Sequence, residues 1–167
     1  DISRAISSAS VDFGAVISHA MPKSSQFFGF DLTPGMVDIT TRRLSGLVPS
    51  THFKVASILD NEAYEFGVKD SKFDVIFTYD VIQQLPRSAQ EGVCDLMLNH
   101  VREGGTLIVF DNDKDSLFGR KMGAKKFVTK YLKIPLVPGY FCNARYPRLG
   151  KIRKTLDCVD SYGASIR

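Results

Sequence analysis

The sequence predicts an α/β domain: an open, mostly parallel sheet with helices on both faces. Three observations carry that expectation. Apolar runs such as Phe73–Tyr79 and Thr106–Phe110 are strand-sized and nearly continuous, as in strands buried on both faces. Helical patterns follow the strands in alternation, which is the signature of βαβ units. The 167 residues, 44% hydrophobic and 24% charged, suit one domain with a sizeable core. No run approaches the roughly 20 apolar residues that a membrane-spanning helix needs. The opening residues lack the basic and then apolar pattern of a signal peptide. Cys94, Cys142 and Cys158 are scattered, without a C-x-x-C pair, and the three histidines share no ligand spacing. This argues against a disulfide framework or a zinc site and leads us to expect reduced thiols, no metal and a cytoplasmic protein.

Taken in order, Val11–Ala20 reads as a helix with Phe13, Val16, Ile17 and Ala20 on one face. Gln26–Phe30 is an aromatic-rich strand ending at Asp31. Thr33 can then cap a helix that has Pro34 in its first turn, with Met36, Ile39, Thr40, Leu44 and Leu47 at helical spacing and Pro49 as the stop. His52–Ala56 is a weaker strand, and Asn61–Gly67 a polar turn or short helix. Phe73–Tyr79 is the clearest strand. Pro86 and Ser88 open a helix in which Ala89, Val93, Leu96, Met97 and His100 share a face. Glu103-Gly104-Gly105 breaks it, and Thr106–Phe110 is the next strand. A helix ahead of the first visible strand implies another strand before Asp1, because such helices connect parallel strands. Leu149, Ile152, Leu156 and Val159 suggest a further amphipathic helix near the other end. The expectation is a domain cut at both ends.

Ligands of open parallel sheets sit beyond the carboxyl ends of the strands, where strand order reverses. That singles out Asp31, Ser57–Asp60, Tyr79–Gln84 and Asp111–Asp113. An acidic residue directly after the second strand can accept both hydroxyls of a ribose. Asp31 can equally well serve the turn at Thr33–Pro34.

Three stretches then carry a resemblance. Phe30-Asp31-Leu32-Thr33-Pro34-Gly35-Met36 resembles G-x-D-L-S-P-x-M, Phe73 to Pro86 (F-D-V-I-F-T-Y-D-V-I-Q-Q-L-P) resembles F-D-V-V-x-x-x-D-V-L-H-H-L-P, and Val101–Val109 resembles L-K-P-G-G-x-L-V-V. All three patterns are those of class I S-adenosylmethionine-dependent methyltransferases, and the resemblance covers roughly residues 1–113. The resemblance implies a Rossmann-like fold, S-adenosyl-L-methionine as cofactor, and methyl transfer to a small-molecule or lipid-like acceptor, anionic ones included. It also implies roles. Asp31 and Leu32 would hold the ribose, Ser57 and Ile58 the adenine, and Tyr79 and Val81 the methionine end. Asp80 is the candidate catalytic base or else a structural acceptor of N–H groups. Gln83, Gln84 and Asp111 would face the methyl acceptor, although a Gln cannot act as a base. The family's glycine-rich first motif is absent. Asp1, Ser3 and Ala5, followed by Ser7, read as its remnant, with small residues replacing glycines. That departure, with the Gln pair, keeps open a catalytically degenerate methyltransferase fold serving as an interaction module.

Charge divides the chain. Residues 1–113 hold nine Lys and Arg against fifteen Asp and Glu, net −6, whereas 114–167 hold thirteen against three, net +10. We read 114–167 as a basic helical and irregular extension of the same domain, capping the acceptor side. Leu117–Leu132 suggests an amphipathic helix that packs its Phe127–Tyr131 side on the sheet or on a lipid-like acceptor and leaves Lys121, Lys125 and Lys126 at the rim. This third is either a solvated face or a binding surface, for an anionic acceptor or a membrane surface. No nucleic-acid module motif is present, which ranks nucleic acid last.

Overall fold

Four apolar strands near the predicted places and a fifth that the sequence did not reveal pair edge to edge in one parallel sheet. The strands are β1 (Arg4–Ser8), β2 (Gln26–Asp31), β3 (Ser50–Val55), β4 (Phe73–Tyr79) and β5 (Val101–Phe110), in the order β3-β2-β1-β4-β5. The computed structural model describes residues 4–8, 22, 24–45, 50–133, 135–136 and 144–148. The helices among them are α1 (Pro34–Leu44), α2 (Arg87–Asn99) and α3 (Leu117–Tyr131), with short 3-10 turns at Asn61–Tyr64, Lys69–Ser71 and Ile82–Gln84. The Rossmann-like architecture expected from the sequence is therefore the observed one.

The strand sought before Asp1 is Arg4–Ser8 itself. It lies at the centre of the sheet, pairing Ala5 with Phe27 of β2 and with Val75 of β4. This corrects the reading of residues 1–7 as a glycine-loop remnant. Ala5 is mid-strand, and Asp1 and Ser3 lie outside the described residues, as do the helices expected at Val11–Ala20 and Leu149–Val159. A serine-rich strand flanked by small residues carries too weak an apolar signal to be read as central.

Two faces of the sheet make two cores. Phe28, Phe30, Phe73 and Ile76 pack with Tyr64, Val93, Cys94 and Met97 on one side. Phe27 and Phe77 pack with Leu44 of α1 on the other. Adjacent residues Phe27 and Phe28 point to opposite sides, as the pleat requires. Each buried Phe contributes about 1.5–3 kcal/mol of transfer free energy. Among the described residues no helix is long and apolar enough to cross a membrane.

The glycine pair is not a break before a strand, as expected, but a bulge within one. Phe73 pairs with Val101 and Val75 with Thr106, so Arg102–Gly105 loop out opposite Asp74. Gly104 takes φ +74, and a Cβ on Gly105 would lie 2.8 Å from the Asp74 carbonyl oxygen. Arg102 Nε pairs with Asp74 Oδ1 at 2.5 Å across the same bulge. Gly105→Ala is expected to destabilise the fold by about 1–3 kcal/mol, since backbone must move to admit the methyl. Urea denaturation checks this, and an unchanged midpoint would mean that the bulge opens freely.

Candidate functional site

The strands deliver unburied apolar side chains to one edge. Leu32 after β2, Val55 and Leu59 at and after β3, Tyr79 ending β4 and Phe110 ending β5 are all exposed, from 38% for Tyr79 to 72% for Leu32. All five lie at carboxyl ends, whereas Phe73 at the start of β4 is fully buried. Strand order reverses beside β1, and in open parallel sheets the carboxyl edge at that point is where a ligand crevice is expected.

Asp31 closes β2 there. Its Oδ1 accepts the Thr33 N–H at 2.7 Å, so the carboxylate does serve the turn into α1. Thr33 itself makes no side-chain cap, and Pro34 starts the helix. The turn fixes the carboxylate's orientation at the crevice and leaves Leu32 standing out beside it. After β3, the Ser57 carbonyl accepts from the Asp60 N–H at 3.1 Å and its Oγ from the Leu59 N–H at 3.2 Å. Ile58 turns inward, buried, and its carbonyl accepts from the Tyr64 hydroxyl at 3.2 Å.

β4 leads into a polar cluster. Asp80 sits at φ +55, a left-handed conformation that costs a non-glycine residue about 1–2 kcal/mol and that Asp tolerates better than most. Its N–H donates to the Phe110 carbonyl at 2.9 Å, which prolongs the β4–β5 ladder by one bond. Desolvation raises its carboxyl above the ordinary value of 3.8. Val81 then starts the turn, half-buried against the core.

Asp111, at the exit of β5, binds that turn. Its Oδ2 accepts the Gln83 N–H at 3.0 Å and its Oδ1 the Asn112 N–H at 2.9 Å. Burial pushes its carboxyl up to about 6; the N–H groups of Gln83, Asn112 and Ile82 oppose the rise, and the nearby Asp80 charge adds to it. Asn112 bridges the two halves, its Nδ2 lying 3.4 Å from both Asp80 Oδ1 and Gln83 Oε1.

Gln83 was expected to face the acceptor. It is buried instead, with its carbonyl accepting the Arg145 N–H at 2.5 Å, while Gln84 is exposed. The Ala144–Arg148 stretch is thus fastened to this end of the sheet. Gln90 of α2 donates to the Arg145 carbonyl at 2.7 Å and to that of Ile82 at 3.1 Å, and the Lys114 N–H donates to the Pro147 carbonyl at 2.8 Å. Lys126, expected at the rim, turns inward, reaching the Ala144 carbonyl at 2.8 Å and standing 3.8 Å from the Tyr146 ring centre. Phe127 and Tyr131 are exposed, which rules out packing on the sheet, one of the two placements expected for them.

Sequence reasoning missed Gln90 as an organiser and singled out Asn112 only as part of Asp111–Asp113. Gln90 did leave a signal, since Gln90, Val93, Cys94 and Met97 form an i, i+3, i+4, i+7 set, the buried face of α2. A polar residue in that phase needs buried partners.

A family model described as a methyltransferase domain matches residues 12–105, more than half of the chain. The chain belongs to this methyltransferase domain family. Among solved structures it is similar to an O-methyltransferase family protein from Burkholderia thailandensis, 16% identical with a TM-score of 0.67, covering 93% of this chain and 44% of that one. It is also similar to an O-methyltransferase family 2 protein from Planctomyces limnophilus in complex with apigenin, 15% identical with a TM-score of 0.63, covering 92% of this chain and 43% of the other. The N-methyltransferase NodS from Bradyrhizobium japonicum in complex with S-adenosyl-L-homocysteine is 18% identical with a TM-score of 0.55, covering 73% and 58%. The methyltransferase domain here thus spans less than two thirds of each of these chains. No curated protein matches it.

Because the folded-state value of Asp111 lies above the unfolded 3.8, the group favours folding most below that pH. Its contribution is lost as pH rises through about 6. A carbon-13 NMR titration of the Asp111 carboxyl in the folded protein should show a midpoint near 6. A midpoint below the ordinary 3.8 would mean that the N–H donors outweigh burial.

Proposed function

We propose that this methyltransferase domain uses S-adenosyl-L-methionine to methylate a small-molecule or lipid-like acceptor, which approaches over the carboxyl ends of β4 and β5. The observation that carries this reading is the carboxyl edge itself, an oriented acid after β2 beside uncovered apolar side chains from every following strand. A ribose needs the first and an adenine needs the second, so the residues present fit this cofactor. Asp31 would receive the ribose hydroxyls on the carboxylate that the Thr33 N–H holds in place. Leu32 and Leu59 would cover the adenine beside Ser57, with Ile58 buried beneath. Tyr79, Asp80 and Val81 would line the methionine end.

The bound cofactor supplies an already activated sulfonium methyl group, so the protein's task is to align the acceptor and exclude water. Asp80, half-buried and hydrogen-bonded to Asn112, would take the acceptor's proton, and its desolvation would strengthen it as a base. Exposed Gln84 is the remaining glutamine able to contact the acceptor from this side. The net positive charge of residues 114–167 supports selection for anionic acceptors.

Calorimetric titration with S-adenosylmethionine, S-adenosylhomocysteine and NAD tests the reading. Both sulfur compounds should bind and NAD should not. Asp31→Ala should weaken cofactor binding about 10–150-fold through loss of a charge-assisted acceptor. Unchanged affinity in the folded variant, or preferential binding of NAD, would overturn the assignment.

A further inference from the structure

Helix α3 turns its aromatic side to solvent. Leu117, Phe127, Tyr131 and the following Leu132 are each at least 60% exposed, and the Phe127 and Tyr131 rings touch at 4.8 Å between centres. Leu117, Ala124, Phe127 and Tyr131 recur at i, i+7, i+10 and i+14, which aligns them as one stripe along the helix. Exposed Arg120, at i+3, lies within the stripe, and exposed Lys121, Lys125 and Lys130 border it. The opposite side is already occupied: Gly119 is buried against the Asp113–Lys114 backbone and Lys126 is tied to Ala144 and Tyr146. Between Asp115 and Asp157 the sequence has no acidic residue.

We propose that α3 is an interfacial helix that lies on an anionic phospholipid surface. The stripe would enter the boundary between headgroups and acyl chains, and the lysines would reach the lipid phosphates along its borders. Charge complementarity selects this occupant. An all-cationic border suits an anionic bilayer, where each Lys or Arg near the surface adds to the attraction. Nucleic acid would match the charge but would leave the Leu117 and Leu132 side chains without an apolar partner. This inference does not rest on methyl transfer, and its test needs no cofactor.

The purified chain is mixed with phosphatidylcholine vesicles, with and without phosphatidylglycerol, and bound protein is measured by sedimentation. We expect binding to the anionic vesicles at least about tenfold tighter than to the neutral ones. The exposed pairs Phe127→Ser with Tyr131→Ser, and Lys121→Glu with Lys125→Glu, should each lower anionic binding by about tenfold or more without changing thermal stability. Equal binding to both vesicle types, or none, would overturn the proposal. So would a serine variant that binds like the parent, since attraction would then be charge alone. Displacement from vesicles by a single-stranded or duplex oligonucleotide at equal phosphate would instead identify a nucleic-acid surface.

Discussion

The carboxyl edge depends on one partly buried acid. Asp111 fastens the exit of β5 to the turn that leaves β4, taking N–H groups from Gln83 and Asn112. Everything near the acceptor side hangs from that attachment. Gln83 can be fully buried because its N–H meets Asp111, its carbonyl meets Arg145 and its side-chain oxygen faces Asn112. Asp80 is held in its left-handed conformation between the Phe110 carbonyl and Asn112. Gln90 then completes the arrangement from α2 by donating to carbonyls of both the turn and the Ala144–Arg148 stretch.

This organisation also explains why the two carboxylates differ. Asp111 is partly buried and accepts the Gln83 and Asn112 N–H groups, with its carboxyl raised to about 6. Asp80, directly after β4, is partly buried too, with its carboxyl raised by desolvation. One acid therefore holds the turn after β4 through two backbone N–H groups, and the other meets the side-chain amide of Asn112.

Much of the fold was legible because the strands are apolar and their ends are marked. Phe73–Tyr79 was read to the residue, and Pro34 and Arg87 start helices close to where turn chemistry put them. The central strand was not legible. Arg4–Ser8 carries only Ala5 and Ile6 as apolar residues, and its placement comes from pairing with β2 and β4 on both sides, which is tertiary information. The loop assigned to Asp1, Ser3 and Ala5 was consequently shifted upstream by about one strand. Asp31 and Asp111 stand at the strand ends where the sequence put them, but Asp111, expected to face the acceptor, has its carboxylate taken up by the Gln83 and Asn112 N–H groups. The burial of Gln83 was not legible, because it depends on a segment sixty residues later whose backbone supplies the partner. The helix α3 was legible as amphipathic but not in its sense, since Lys126 gains a carbonyl and an aromatic ring on the inward side.

The central claim is that the carboxyl edge of this sheet receives the cofactor. Backbone amide NMR during titration with S-adenosylhomocysteine tests it most directly. The account predicts shifts concentrated at Asp31–Leu32, Ser57–Leu59 and Tyr79–Val81, with Phe73 at the opposite end of β4 and α3 unmoved. Shifts centred on the amino ends of the strands or on α3, with those three segments silent, would contradict it.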